Sequence, residues 1–235
     1  MISEKRVIAL IPARAGSKSV PRKNLARVGG HTLIGHAVRQ ARATGLVDRV
    51  IVSTDGEEIA DEARRVGAEV YLRPTHLATD TALVVDTVRH LCRQLREEGE
   101  SAVYMAMLEA TTPLRQARDI TTSLELLDRD GLDSVATFKE ADLNPHRAWR
   151  LEGNEPTPFV EGAVPWLPRQ HLPPAYQLTG AVYAFVIDAL PQDSPSLLFG
   201  ATGAVIVERE RSIDVDDSID IMIVEELFKK FGNDK

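Results

Sequence analysis

From Arg6 to Phe138, short apolar runs alternate with longer amphipathic stretches. Arg6–Pro12 (RVIALIP) is apolar almost throughout and closed by proline, the pattern of a central strand buried on both faces. A helical repeat follows over His31–Ala43, with Leu33, Ile34, Ala37, Val38 and Ala41 on one face and Gly45 as its stop. Arg49–Ser53, Ala68–Leu72, Ala102–Leu108 and Asp133–Phe138 predict further strands, with helices between them over Glu57–Val66, Thr81–Glu98 and Ala117–Asp128. Strict alternation of this kind is the sequence form of βαβ units. Right-handed crossovers place helices on both faces, so the fold expected is α/β, a doubly wound and mostly parallel sheet. In such sheets ligands bind at the carboxyl ends of the strands.

The alternation breaks over residues 139–176, which hold Pro145, Pro156, Pro158, Pro165, Pro168, Pro173 and Pro174. This segment reads as irregular and is too long for an inert connector. It predicts an arm that covers the active site or reaches a second subunit. Order returns with strands at Gly180–Ile187 and Ala204–Val207 and a closing helix at Ser218–Phe231. A length of 235 residues suits a single domain, 1–235, with the arm inside it.

Composition narrows the function. A net charge of −7 argues against a general nucleic-acid binder. One cysteine, Cys92, excludes an intrachain disulfide, and six scattered histidines give no paired spacing for zinc. No run approaches the roughly 20 apolar residues of a membrane span. The opening MISEKRVIALIPARAG lacks a signal-peptide layout, so a cytoplasmic protein without a membrane partner is expected.

Against that acidic background, the loop after the first strand, Ala13–Arg27, carries Arg14, Lys18, Arg22, Lys23 and Arg27 and no acid. Backbone N–H groups around Gly16 and Ser17, with these cations, are suited to polyphosphate. The alternative is a solvated basic loop. The spacing matches neither a Walker A loop nor a dinucleotide fingerprint. In IDVDDSID, Asp214 and Asp216 fall on one face of an extended segment, as a Mg²⁺ site would require. Acids there also cap a helix, a role that fits Asp217 or Ser218. LEATTPLR (108–115) reads as a turn into a helix, and its Arg115 as an anion contact or a surface residue. In PRQHLPPAYQLTGAVY, Gly180 permits close backbone approach and Arg169 is a candidate for binding an acid.

Together these segments resemble the acylneuraminate cytidylyltransferase family, over Val7 to about Leu227. IPARAGSKSVPRKN resembles I-P-A-R-x-G-S-K-x-x-x-x-K-N, and VIVSTD…LRP…LATDTA resembles V-x-S-T-D…L-R-P…L-A-x-D-x-(T/S). LEATTPLR is similar to L-Q-P-T-S-P-L-R, PRQHLPPAYQLTGAVY to P-R-Q-x-x-P-x-x-(F/Y)-x-x-N-G-A-x-Y, and SIDVDDSID to S-I-D-I-D-x-x-x-D. The resemblance implies a Rossmann-like nucleotidyltransferase fold and a reaction in which an acidic acceptor attacks the α-phosphate of CTP and pyrophosphate leaves. It implies that Arg14, Gly16, Ser17, Lys18 and Lys23 hold the triphosphate. Asn24 and Arg73 would contact the nucleoside, with Asp80 and Thr81 in the adjoining motif. Asp214 and Asp216 would hold Mg²⁺, and Arg14, Lys18 and Lys23 would complete the catalytic set. The arm would make a homodimer, with Arg147 and Arg169 meeting the acceptor's acid group. Thr111, Gln170 and Gly180 fall in the same acceptor-side motifs.

The departures cluster on that acceptor side. Glu109 stands where the family has Gln, Ala110 where it has Pro, and Thr179 where it has Asn. A carboxylate only accepts hydrogen bonds, and it repels an anionic acceptor. Two acceptor classes therefore stay open: a sialic acid or related nonulosonic acid, and a smaller acid such as a phosphonate. A nucleotide-binding dimeric module without activity is the alternative of another class.

Overall fold

The structure is a computed structural model that describes residues 2–17 and 20–232. In order the chain forms β1 (Val7–Pro12), the short pair β2 (Arg27–Val28) and β3 (His31–Thr32), α1 (Leu33–Ala43), β4 (Arg49–Thr54) and α2 (Glu57–Arg65). Next come β5 (Glu69–Leu72), α3 (Val84–Glu97), β6 (Tyr104–Met107), α4 (Ala117–Arg129) and β7 (Ser134–Glu140). A hairpin of β8 (Trp149–Glu152) and β9 (Glu155–Pro158) precedes β10 (Tyr176–Val186), β11 (Thr202–Ile206) and α5 (Ser218–Gly232).

Seven strands form one sheet in the order β11–β7–β10–β6–β1–β4–β5. All neighbours are parallel except β10, which runs antiparallel to both β6 and β7. β1 explains the layering. Its Val7, Ala9 and Ile11 join the core that holds Ile34 and Val38 of α1 and Ile120 of α4. Its Ile8 and Leu10 join the opposite core with Val88, Leu91 and Leu95 of α3. Alternate side chains of one strand thus bury on both faces, each Ile or Leu contributing roughly 1.5–3 kcal/mol. This is the doubly wound, mostly parallel sheet that the sequence pattern predicts. No helix among the described residues is long and apolar enough to cross a membrane.

Three local expectations change. The helix expected from Thr81 begins at Val84, because the preceding turn carries the Asp80 carboxylate to Arg14, 2.7 Å away. The arm is not wholly irregular: β8 and β9 pair antiparallel, with Trp149 opposite Pro158. Pro156 and Pro158 are tolerated because a two-stranded ribbon leaves each strand an open edge that needs no donor. The strand expected from Gly180 starts earlier, with Tyr176 already paired to Glu140. Its ladder shifts register between Leu178 and Tyr183, around Gly180 at φ +69°.

That irregularity is held by Arg115. The side chain is 1% exposed. Its Nε donates to the carbonyl of Ala181 at 2.5 Å, and Nη2 donates to the carbonyl of Glu109. The loop after β6 is thereby tied to β10. Neither surface placement nor an anion contact, the two readings the sequence offers, describes this residue. Methionine keeps the unbranched apolar stem but donates nothing, so both carbonyls lose a charge-assisted bond in a buried setting. Arg115→Met is expected to lower unfolding free energy by about 3 kcal/mol or more in urea denaturation at pH 7. Unchanged stability would show that the two bonds contribute nothing.

Candidate active site

The basic loop leaves the carboxyl end of β1 and is pinned at both ends. Ala15 N–H donates to Asp55 Oδ1 at 2.8 Å, and Asn24 Nδ2 donates to the carbonyl of Arg14 at 3.0 Å. Arg22 takes a left-handed turn, φ +56°, that brings Lys23 inward. The Lys23 side chain is largely buried, and its ammonium lies 3.2 Å from Asp216. Arg14 pairs with Asp80, while Thr81 sits on the flanking turn with its hydroxyl 3.5 Å from that of Thr79. A Cβ at Gly16 would meet nothing within 4 Å, so packing does not demand that glycine. Lys18 lies outside the described residues.

These groups border a cleft of about 480 Å³, lined by Arg14, Ser17, Lys23, Asn24, Arg73 and Asp80 among others. Arg73 donates to the carbonyl of Ser53 at 2.6 Å, yet its buried Nε has no partner. Burial lowers its pKa. An orphaned guanidinium N–H in a cleft wall is a donor kept for something that binds there.

A second cleft, about 850 Å³, opens on the other side of Glu109. Lys139, Gln177, Gly180, Tyr183, Arg209 and Asp214 are among its lining residues. Glu109 and Asp216 border both clefts. The Glu109 N–H donates to the carbonyl of Gly180 at 3.2 Å. Its carboxyl rests on Gly180 so closely that a Cβ there would lie 2.4 Å from Oε2. Burial, and then the charge of Asp214, push the Glu109 carboxyl up to about 7, with Arg115 opposing.

The segment around Asp214 is extended, as its sequence suggests. Val215 is fully buried, and its N–H donates to the carbonyl of Thr111 at 2.8 Å. Asp214 and Asp216 consequently project together toward the cleft. Asp214 is exposed on the wall of that cleft, and desolvation by the surrounding protein raises its pKa. The Thr111 hydroxyl opposes this by bonding to it, and Asp216 adds to the rise. Asp217 takes the capping role, accepting from Ile219 N–H at 2.7 Å and Asp220 N–H at 3.1 Å. Among the described residues no group of three or more His, Cys, Asp or Glu is arranged to hold a metal alone. Two crowded carboxylates beside a cleft lined by Arg14, Lys23 and Arg73 nevertheless have the chemistry of a Mg²⁺ site, an ion that takes one or two carboxylates and completes its shell from phosphate and water.

The remaining acceptor-side residues are scattered. Thr179 borders the larger cleft, but it is 4% exposed and its hydroxyl is 2.7 Å from that of Thr137. Arg147 is exposed on the arm and donates to the carbonyl of Leu167. Arg169 borders an adjoining hollow of about 430 Å³, 3.3 Å from Glu140, and Gln170 follows it on the same exposed turn. Neither arginine lines the cleft that holds Asp214. Lys139 and Tyr183, which do, were not singled out by the sequence. One signal pointed to Lys139: it continues the inward face of Val135 and Thr137 along β7.

A family model described as cytidylyltransferase matches residues 8–185. Post-translational flagellin modification protein B of Campylobacter coli is 31% identical over 95% of each chain. CMP-N,N'-diacetyllegionaminic acid synthase of Legionella pneumophila is 30% identical, over 95% of this chain and 97% of its own. The fold matches a solved structure of CMP:2-keto-3-deoxy-manno-octonic acid synthetase complexed with CTP, with a TM-score of 0.70 at 18% identity, covering 97% of this chain and all of that one. The chain belongs to the cytidylyltransferase family, which the acylneuraminate cytidylyltransferases share, and it is a CTP-dependent nucleotidyltransferase.

Proposed function

We propose that the enzyme transfers CMP from CTP to a nonulosonic acid, in the smaller cleft and the larger cleft respectively. The observation that carries this reading is the shared wall: Glu109 and Asp216 border both clefts, with Lys23 beside Asp216. Arg14, Ser17 and Lys23 would hold the triphosphate, and Arg73 and Asn24 the nucleoside. The acceptor hydroxyl oxygen then forms a bond to the α-phosphorus as the bond from that phosphorus to the α,β-bridging oxygen breaks; pyrophosphate leaves with that oxygen, and the hydroxyl proton passes to solvent. Phosphoryl-type transfer of this kind depends on positioning and charge neutralisation. Lys23 lies where it can neutralise charge that builds on the phosphates. Asp214 and Asp216 would hold Mg²⁺, which supplies charge neutralisation for the triphosphate when bound.

The larger cleft supports a nine-carbon acid over a small phosphonate, since its volume is nearly twice that of the nucleotide side. So do the names of the relatives, among them a pseudaminic acid cytidylyltransferase of Campylobacter jejuni at 26% identity over 94% of this chain. The arm leaves Leu151, Phe159, Val164 and Trp166 exposed, which supports a homodimer in which a second copy covers them. Use of CTP supports a cytoplasmic location.

Pyrophosphate release from CTP, assayed separately with legionaminic, pseudaminic and N-acetylneuraminic acids and with a phosphonate, tests the reading. Turnover is expected with at least one nine-carbon acid; turnover with the phosphonate alone would overturn it. Lys23→Ala is expected to lose about 100-fold or more in kcat/KM while its melting temperature stays put.

Glu109 gives a prediction independent of turnover. Its carboxyl has an ordinary value of 4.5 and sits near 7 when folded. Between those values the folded chain binds more protons than the unfolded one, so stability falls as pH rises through 7. Glu109→Gln removes the buried charge. In metal-free enzyme it is expected to raise stability at pH 8 by about 2 kcal/mol and to change little at pH 4. Denaturant titration at both values checks it; a destabilised variant at pH 8 would contradict the placement.

A further inference from the structure

We infer that Lys139 is the acceptor-recognising residue of this enzyme, holding the carboxylate of the incoming acid from within the same subunit. The inference rests on the reading of the reaction as CMP transfer to an acid. It starts from the charges around the larger cleft. Glu109, Asp142, Glu210, Asp214, Asp216 and Asp220 all border it, whereas its lysines and arginines are Lys139 and Arg209. An anionic acceptor entering so acidic a space is repelled unless a cation meets it.

Arg209 is placed at the rim. Its side chain is 70% exposed, and its Nε is 3.1 Å from Asp142. Lys139 is placed inside. It ends β7, is 8% exposed, and lines the cleft with Glu109 and Asp214. Among the described residues its ionic partner is Asp142, 2.7 Å away. An ammonium has three donors, so one carboxylate oxygen leaves capacity for a second anion. The neighbours hold this geometry. Lys139 faces Gln177 across the ladder, and Gln177 Oε1 accepts from Asp142 N–H at 2.8 Å. One step back along β7, the buried pair of Thr137 and Thr179 hydroxyls stiffens the floor. Asp142 stands on an exposed loop, so the Lys139 ammonium is held at the cleft wall from its solvent side. Arg147 and Arg169 do not line this cleft. The acid group of a substrate lying between Glu109 and the rim therefore has Lys139 as its inward cation.

Lys139→Gln and Lys139→Arg test the assignment by separating the two substrates. With the acid varied at saturating CTP, Lys139→Gln is expected to raise the acceptor KM about tenfold or more. The KM for CTP stays within about threefold of wild type, since that cleft is untouched. Lys139→Arg, which keeps the charge, recovers most of the loss. The wild-type enzyme also discriminates strongly against the methyl ester of its acceptor, and Lys139→Gln loses that discrimination. Wild-type turnover with an acceptor KM that does not move in Lys139→Gln would overturn the inference and leave the reaction standing. Failure of the wild-type enzyme with every nonulosonic acid would overturn the reaction and the inference together. Thermal melts of both variants, expected to match wild type, separate a folding defect from a binding one.

Discussion

A buried guanidinium that, among the described residues, has no carboxylate at hydrogen-bond distance sets the architecture of the site. Arg115 gives its bonds to two main-chain carbonyls, those of Glu109 and Ala181. Burial lowers its pKa to about 10, so the charge survives at neutral pH. The cost of desolvating it is offset only while both carbonyls stay in place. That fixes the loop after β6 against the bulge of β10. The bulge in turn demands Gly180, because the space a Cβ would need is filled by the Glu109 carboxyl. The same loop then receives the Val215 N–H at Thr111, which positions Asp214 and Asp216. Elements distant in sequence are thus placed by one side chain and the backbone bonds around it.

The electrostatics follow from that placement. Burial raises the pKa of both Glu109 and Asp214; Asp214 adds to the rise at Glu109, and Asp216 adds to both. Lys23 opposes all of this from the nucleotide side. A triphosphate brings more negative charge to the same wall. The site as folded therefore has a deficit of positive charge that cations or protons must fill. A divalent ion held by the aspartates, as proposed above, would meet part of it. Glutamine at position 109, as the related motif has, would lessen the deficit. With its carboxyl near 7, Glu109 can both accept and, when protonated, donate a hydrogen bond at neutral pH, whereas the glutamine of the related motif keeps one fixed amide donor.

How much of this the sequence disclosed depended on the range of the interactions involved. β1 was legible because its apolar run is the whole signal: alternate residues enter two cores, and both need burial. The aspartate pair was legible because alternation along an extended segment is local, and Val215 shows which face is inward. The basic loop stood out by charge contrast. Arg115 did not, since an arginine entering a helix reads as surface until its partners, one of them 66 residues away, are known. The antiparallel course of β10 and its bulge were equally invisible, because residue alternation is the same in either strand direction. The hairpin through Pro156 and Pro158 was hidden because proline counts against a strand unless the strand has a free edge. Lys139 was assigned to the arm because the arm's first residues had to be placed without knowing that β7 runs on to Glu140.

The two clefts differ in origin, and this explains why one half of the reaction is so much easier to read than the other. From β1 the chain crosses through α1 and α2 to β4 and β5 on one flank, then returns over the other face through α3 to β6 on the opposite flank of β1. The reversal leaves a crevice at the carboxyl ends of β1, β4 and β6, where doubly wound sheets bind nucleotides. Pro12, Arg73 and Glu109 reach the smaller cleft from the ends of β1, β5 and β6. That cleft is a consequence of the winding, and its contacts sit on short segments with fixed spacing. The larger cleft is made by what the winding does not provide: an antiparallel strand, the start of the arm and the final helix, through Gln177, Asp142 and Ile223. Its shape depends on long-range packing, and its residues are free to change with the acceptor. Of the three departures from the family motif, Thr179 falls on this side and Glu109 on the shared wall, while Ala110 borders the smaller cleft instead. Specificity for the acid therefore belongs to the added elements, and chemistry on the nucleotide to the sheet.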